Sequence, residues 1–164
     1  AACHMTWNDQ QLKNNEGMFL ELAGAYARYH CPCSRTLFLG SPPQQYLDIE
    51  KVISECIENA ISMFKPGNTC AEISDNFTAT LKKYGYEKNN RCGYPIGLSY
   101  PPDWGERTMS LRGTDQTILQ ENMTFHFMPA IWFDDWGFEM TESIRVGENG
   151  GECLSKVPRQ LLVK

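Results

Sequence analysis

A carboxylate inside an apolar row is costly unless something compensates it, and the stretch from Phe138 to Val146 contains one. At the two-residue period of a strand, Phe138, Met140, Glu142, Ile144 and Val146 share one face. Three readings fit Glu142: a functional carboxylate, a salt-bridged structural one, or a bulge that redirects it. Glu21 poses a milder problem beside Phe19 and Ala23, opposite Met18, Leu20 and Leu22, and suits either a paired edge charge or a site. His126 shares a face with Thr124 and Met128; its imidazole can donate, accept or bind a metal near neutrality, or serve as a hydrogen-bonded structural group. His4 stands in a terminal segment of the kind that normally frays. Arg28 and His30 flank Tyr29, a set that suits an acidic ligand group or a polar collar around an aromatic anchor.

Several common chemistries are disfavoured. Cys31-Pro32-Cys33 is one pair without a second at finger-like spacing, so structural zinc is not expected. No phosphate-cradling glycine loop, HExxH helix or GxSxG elbow occurs. Trp104, Trp132 and Trp136, with Pro101, Pro102 and Pro129, suit a pocket wall or a loop packed over a sheet. Asp103, Asp134 and Asp135 suit a cationic ligand, or else cap turns and face solvent.

The elements that must position these residues follow from periodicity. Met18 to Ala23 reads as a strand, Gly24 precedes a second short segment through Tyr26 and Tyr29, and Arg35 to Leu39 gives another strand. Gly40-Ser41-Pro42-Pro43 then stops regular structure. From Gln44 to Phe64, Tyr46, Ile49, Ile53, Cys56, Ile57, Ala60, Ile61 and Phe64 recur at three- and four-residue spacing, which predicts a helix with one buried face. Thr69 and Glu72 have capping-box spacing, and Ile73, Phe77, Leu81 and Tyr84 supply the next helix's apolar stripe before Gly85. Both helices are expected on the same sheet. Met123 to Phe133 and Phe138 to Val146 read as paired strands joined by Asp134-Asp135-Trp136-Gly137.

The 164 residues, 41% apolar and 21% charged, have the composition of one globular domain, 1–164. Fifteen basic against twenty acidic residues give a charge of -5 with no basic stripe, so nucleic acid is not an expected partner. The apolar runs fall well short of the roughly 20 residues that span a bilayer, so no membrane partner is expected. Seven cysteines without a repeating framework read mostly as thiols in a reducing cytoplasm. The chain opens on Ala1 rather than Met and is read as a fragment whose upstream part is missing.

The run Arg91-Cys92-Gly93-Tyr94-Pro95-Ile96-Gly97-Leu98-Ser99, followed by Tyr100-Pro101-Pro102-Asp103-Trp104-Gly105-Glu106, resembles the creatinase and Xaa-Pro-peptidase superfamily, above all its ectoine-hydrolase branch. Supporting stretches are Phe19 to Gly24, Arg28 to Pro32, Ser34-Arg35-Thr36, Met123 to Pro129 and Glu139-Met140-Thr141-Glu142-Ser143. The resemblance covers nearly the whole chain. It implies an α/β, pita-bread-like catalytic domain, incomplete at its N-terminus, whose pocket an upstream segment or another copy of the chain completes; homo-oligomer formation stays open.

Metal-dependent members hold two divalent ions with two aspartates, a histidine and two glutamates. The resemblance puts Glu21, Pro32, Tyr94, Met128 and Glu142 at those places, so two of five keep a carboxylate. No metal and no other cofactor is expected. Creatinase is a metal-independent relative that moves protons with a histidine, and the matching residue is His4, seventeen residues before Glu21. Ser34 stands where creatinase carries a glutamate, which argues against creatine as substrate. The resemblance thus implies metal-independent hydrolysis of a small amidine or amide C–N bond in the intact protein, with ectoine-like ring opening the leading case. His4 and Glu142 are the expected catalytic residues; Glu21, Arg28, His30, Arg91, Tyr94, Trp104 and His126 are the expected substrate-binding set. The alternatives are a catalytically silent pita-bread fragment that binds a small nitrogen-containing molecule or oligomerises, and a metal-dependent Xaa-Pro aminopeptidase.

Overall fold

A computed structural model of the chain describes residues 9–100 and 102–164; His4 lies outside them. The chain begins with a long antiparallel hairpin, β1 (Glu16–Tyr26) and β2 (Tyr29–Leu39), paired over eleven positions from Glu16↔Leu39 to Tyr26↔Tyr29. The break expected at Gly24 is absent, because Gly24 sits inside β1 opposite Cys31. The chain reverses instead at Ala27 and Arg28, both with positive φ (46° and 68°). Two-residue hairpin loops need this left-handed pair, which glycine or asparagine usually supplies, so the residue types gave no warning.

Helix α1 (Gln44–Ile61) starts directly after Pro43 and buries Tyr46, Ile49, Ile53, Cys56, Ile57 and Ala60, the stripe its spacing predicts. It stops three residues short of the expected end, and Phe64 enters the core from the following turn. Helix α2 (Cys70–Lys83) opens on the expected capping box. The Glu72 amide donates to Thr69 Oγ1 (3.2 Å) and the Thr69 amide to Glu72 Oε2 (2.6 Å), satisfying two donors that a helix start leaves unpaired. Lys82 and Lys83 complement the dipole at its end.

The second sheet contains β3 (Gly93–Pro95), β4 (Thr124–Phe127), β7 (Glu142–Val146) and β8 (Gly151–Cys153), in the order β3-β4-β7-β8 and antiparallel throughout. Strands β5 (Ala130–Trp132) and β6 (Gly137–Glu139) form a two-stranded ribbon. The expected continuous pair is therefore interrupted: Phe127 faces Glu142, Ala130 faces Glu139, and the ladder is broken between them at Met128-Pro129 and Met140-Thr141. Pro129 has no amide to donate there. Strand β2 comes in at the gap, with Arg35 bridging Met140 and the Thr141 amide donating to the Ser34 carbonyl (3.1 Å). A short β9 (Leu162–Val163) adds to β2 in parallel and was not expected.

One core joins these layers. Phe64 rests its ring against Phe125 and Phe127, and Phe77 of α2 meets Phe127 edge-on, all four fully buried or nearly so. Each such side chain contributes roughly 1.5–3 kcal/mol of burial free energy. Among the described residues no helix is long and apolar enough to cross a membrane.

Candidate active site

The interruption between β5/β6 and β4/β7 opens the wall of a cavity of about 980 Å³. Glu21 reaches it from β1, Glu139 from the end of β6 and Tyr94 from β3, while Arg91 and Trp104 come from the flanking loops. Lys88, Arg107 and Arg112 add positive charge to its lining.

Glu139 is fixed through its backbone: its amide donates to Thr36 Oγ1 (2.9 Å), and the Thr36 hydroxyl donates to its carbonyl (2.8 Å). Its side chain is only 5% exposed. Burial, reinforced by the charge of Glu21, pushes its carboxyl up to about 7. A carboxyl that exchanges its proton near neutrality beside a second carboxylate is the arrangement from which acid–base catalysis is built.

Behind this wall runs a closed polar chain. Trp104 Nε1 donates to the Tyr94 hydroxyl (2.8 Å), which lies 2.9 Å from His126 Nδ1; His126 Nε2 lies 2.7 Å from Thr141 Oγ1, which accepts from the Ser34 amide (2.8 Å). His126 is completely buried, and burial together with Lys88 and Arg91 lowers its basicity to about 3, so the ring is neutral at working pH. Its 4.0 Å approach to Glu21 Oε1 is therefore not an ion pair. Burial pushes the Tyr94 phenol up to about 12, and the Arg91 guanidinium sits over its ring at 4.6 Å.

The structure thus brings Glu21, Arg91, Tyr94 and Trp104 together around the cavity, with His126 directly behind. Three expected site residues lie elsewhere. Glu142, expected to meet substrate, is not among the residues lining this cavity: it is 1% exposed and pairs with Arg35 at 2.5 Å. Of its alternatives, the salt-bridged one describes its place. Arg35 spends its remaining donors on the carbonyls of Ser34, Thr141, Val157 and Pro158, all at 2.7–2.8 Å, so the pair pins the C-terminal segment to the sheet. Arg28 is also outside the cavity lining; it caps the hairpin turn, bonded to the Tyr100 hydroxyl and lying over its ring. His30 turns its Nδ1 to the Arg28 carbonyl (3.0 Å) and likewise serves the turn.

Glu139 and Thr141 were missed, although a signal for them exists. Glu139, Thr141 and Ser143 form an all-polar row opposite the apolar row that Glu142 interrupts. On a strand this deeply buried, the polar row marks a face that needs partners or a ligand.

This architecture is the pita-bread α/β fold. It superimposes on the X-Pro aminopeptidase of Thermotoga maritima with a TM-score of 0.88 at 21% identity, over 98% of this chain and 45% of that one. A dipeptidase from Pyrococcus horikoshii gives 0.86 at 22% identity, over 96% and 44%. Residues 1–149 match Metallopeptidase family M24, and the chain belongs to that family. Among curated relatives, "Ectoine hydrolase" of Halomonas elongata is 54% identical over 165 residues, covering 100% of this chain and 41% of that protein. The Xaa-Pro dipeptidase of Pyrococcus furiosus is 26% identical over 162 residues, covering 97% and 45%. The chain spans less than half the length of these relatives.

A metallopeptidase family implies metal ions, but the side chains present do not fit them. Among the described residues no group of three or more His, Cys, Asp or Glu converges on a point. At the positions matched to ligands, Pro32 has no side-chain donor, Met128 is too soft for hard ions, and Glu142 points away into its pair with Arg35. Tyr94 already accepts from Trp104, and both nitrogens of the neighbouring His126 are occupied by Tyr94 and Thr141.

Proposed function

We propose that the whole protein hydrolyses a C–N bond of a small amidine or amide without a metal, and that opening of an ectoine-like cyclic amidine is its reaction. The observation that carries this is the presence of Glu21 and a buried Glu139 that titrates near neutrality in one cavity where, among the described residues, no group of three or more potential metal ligands converges. The 54% identity to a protein named for ectoine hydrolysis supports the same substrate class.

In this mechanism water forms a bond to the amidine carbon, one ring C–N bond breaks, and the leaving nitrogen takes a proton. The product is an acyclic acylated diamino acid. The Glu21 carboxylate faces the cationic nitrogen centre, and Glu139, carrying its proton below about pH 7, supplies it to the leaving nitrogen. His4, by the resemblance, accepts the proton from water. Arg91, held over Tyr94, receives the substrate carboxylate through two parallel N–H bonds.

The free thiols at Cys31, Cys33, Cys56, Cys70, Cys92 and Cys153 support a cytoplasmic setting. The test uses the full-length protein and detects the acyclic product from a cyclic amidine, with and without a chelator. Ring opening unchanged by chelation is expected; strict dependence on an added divalent ion would contradict the proposal.

A further inference from the structure

The buried chain Trp104–Tyr94–His126–Thr141–Ser34 has a direction, and it follows from counting protons. Its two end groups can only donate: the Trp104 indole N–H to the Tyr94 oxygen and the Ser34 amide to Thr141 Oγ1. Between those oxygens a neutral imidazole carries one N–H and one bare nitrogen. If the proton is on Nε2, His126 donates to Thr141, whose oxygen then accepts twice. The Thr141 hydroxyl proton is left completely buried, with no acceptor among the described residues besides the ring that already donates to it. If the proton is on Nδ1, Thr141 donates to bare Nε2, His126 donates to Tyr94, and the Tyr94 oxygen accepts twice. The one uncommitted proton is then on the Tyr94 hydroxyl, at the cavity wall. The second arrangement pairs the fully enclosed Thr141 hydroxyl and moves the uncommitted proton to the cavity wall, and is favoured for that reason.

We infer that His126, as the Nδ1–H tautomer, holds the Tyr94 hydroxyl proton toward the cavity, so that Tyr94 donates a hydrogen bond to the oxygen that the reacting carbon acquires. The inference rests on the hydrolase reading above. The phenol stays protonated across working pH, so Tyr94 offers a fixed dipole to developing charge rather than a transferable proton. His126 is the positioning residue: it touches no ligand, and a ring closed on both sides fixes which way the phenol points. Arg91 over the Tyr94 ring adds positive charge to the same spot.

Nitrogen-15 NMR of imidazole-labelled full-length protein decides the tautomer without reference to activity, the His126 signals being those lost in His126→Gln or, should that variant not fold, His126→Asn. A protonated Nδ1 and a bare Nε2, unchanged from about pH 5 to about pH 9, are expected. A proton on Nε2 or a cationic ring overturns the inference. With the cyclic amidine as substrate, Tyr94→Phe is expected to lower kcat about 100-fold, with KM changed less than about threefold and the shape of the pH profile kept. Undiminished kcat in a folded Tyr94→Phe protein overturns the donor role. A protein that shows the expected tautomer yet opens no amidine supports the His126–Tyr94 arrangement and defeats the hydrolase reading instead.

Discussion

Glu139 and Glu142 lie three residues apart at the same strand interruption and are buried almost equally, at 5% and 1% exposure, yet their surroundings assign them opposite duties. Glu142 faces inward onto Arg35, whose guanidinium also gathers four backbone carbonyls. Burial pushes both carboxyls up, but at Glu142 the Arg35 guanidinium opposes the rise, whereas Glu139 faces the cavity beside Glu21, whose charge adds to it. Glu142, held by a committed cation, belongs to the framework; Glu139, where Lys88 and Ser34 only partly offset burial and the charge of Glu21, is the candidate for chemistry.

The comparison is sharpest under isosteric replacement. In the full-length protein Glu139→Gln is expected to lower kcat/KM about 1,000-fold, because the amide cannot supply a proton. The same variant should gain stability at high pH. Glu139 has a folded pKa raised from 4.5 to about 7, so its favourable contribution is present below about 4.5 and is lost as pH rises through about 7. An amide at this position does not titrate and suffers no such loss. The unfolding free energy of Glu139→Gln relative to the parent should therefore rise by up to about 3 kcal/mol between about pH 5 and about pH 8, as denaturant titration would show.

Glu142→Gln should do the reverse. It leaves the buried Arg35 charge without a counter-charge, and a loss of about 3 kcal/mol in unfolding free energy is expected, with kcat of the folded protein close to the parent's. A folded Glu142→Gln protein with kcat depressed as far as that of Glu139→Gln would erase the distinction. Between the two stands Thr141, whose hydroxyl joins the Ser34 amide to His126. Thr141→Val should cost about 1–2 kcal/mol, measured by thermal unfolding, since two buried groups lose their partner.

Much of this was readable from the chain. The apolar stripes of α1 and α2 and the Thr69–Glu72 cap are local patterns, and local patterns survive folding. The anomaly at Glu142 was also visible, but its resolution was not: Arg35 is 107 residues away in sequence. The catalytic candidate was overlooked for a related reason. An acidic residue breaking an apolar row attracts notice, whereas Glu139 sits in a polar row that looks solvent-facing until β1 and β2 cover it. The strand break at Pro129 and the glycine-free turn at Ala27-Arg28 depend on tertiary partners, Ser34 and Tyr100, that no short window contains. Arg28 and His30 read as ligand-binding groups because polar side chains flank Tyr29, whereas in the fold Arg28 bonds the Tyr100 hydroxyl and His30 Nδ1 lies against the Arg28 carbonyl.

The most direct test is the pH dependence of kcat for amidine opening by the full-length protein in the presence of a chelator. With Glu139 as the acid, activity persists without metal and falls as pH rises past an apparent pKa near 7, and Glu139→Gln removes that descending limb along with most of the rate. Activity that returns only when a divalent ion is added, or a descending limb left intact in Glu139→Gln, would contradict the carboxylate-pair account.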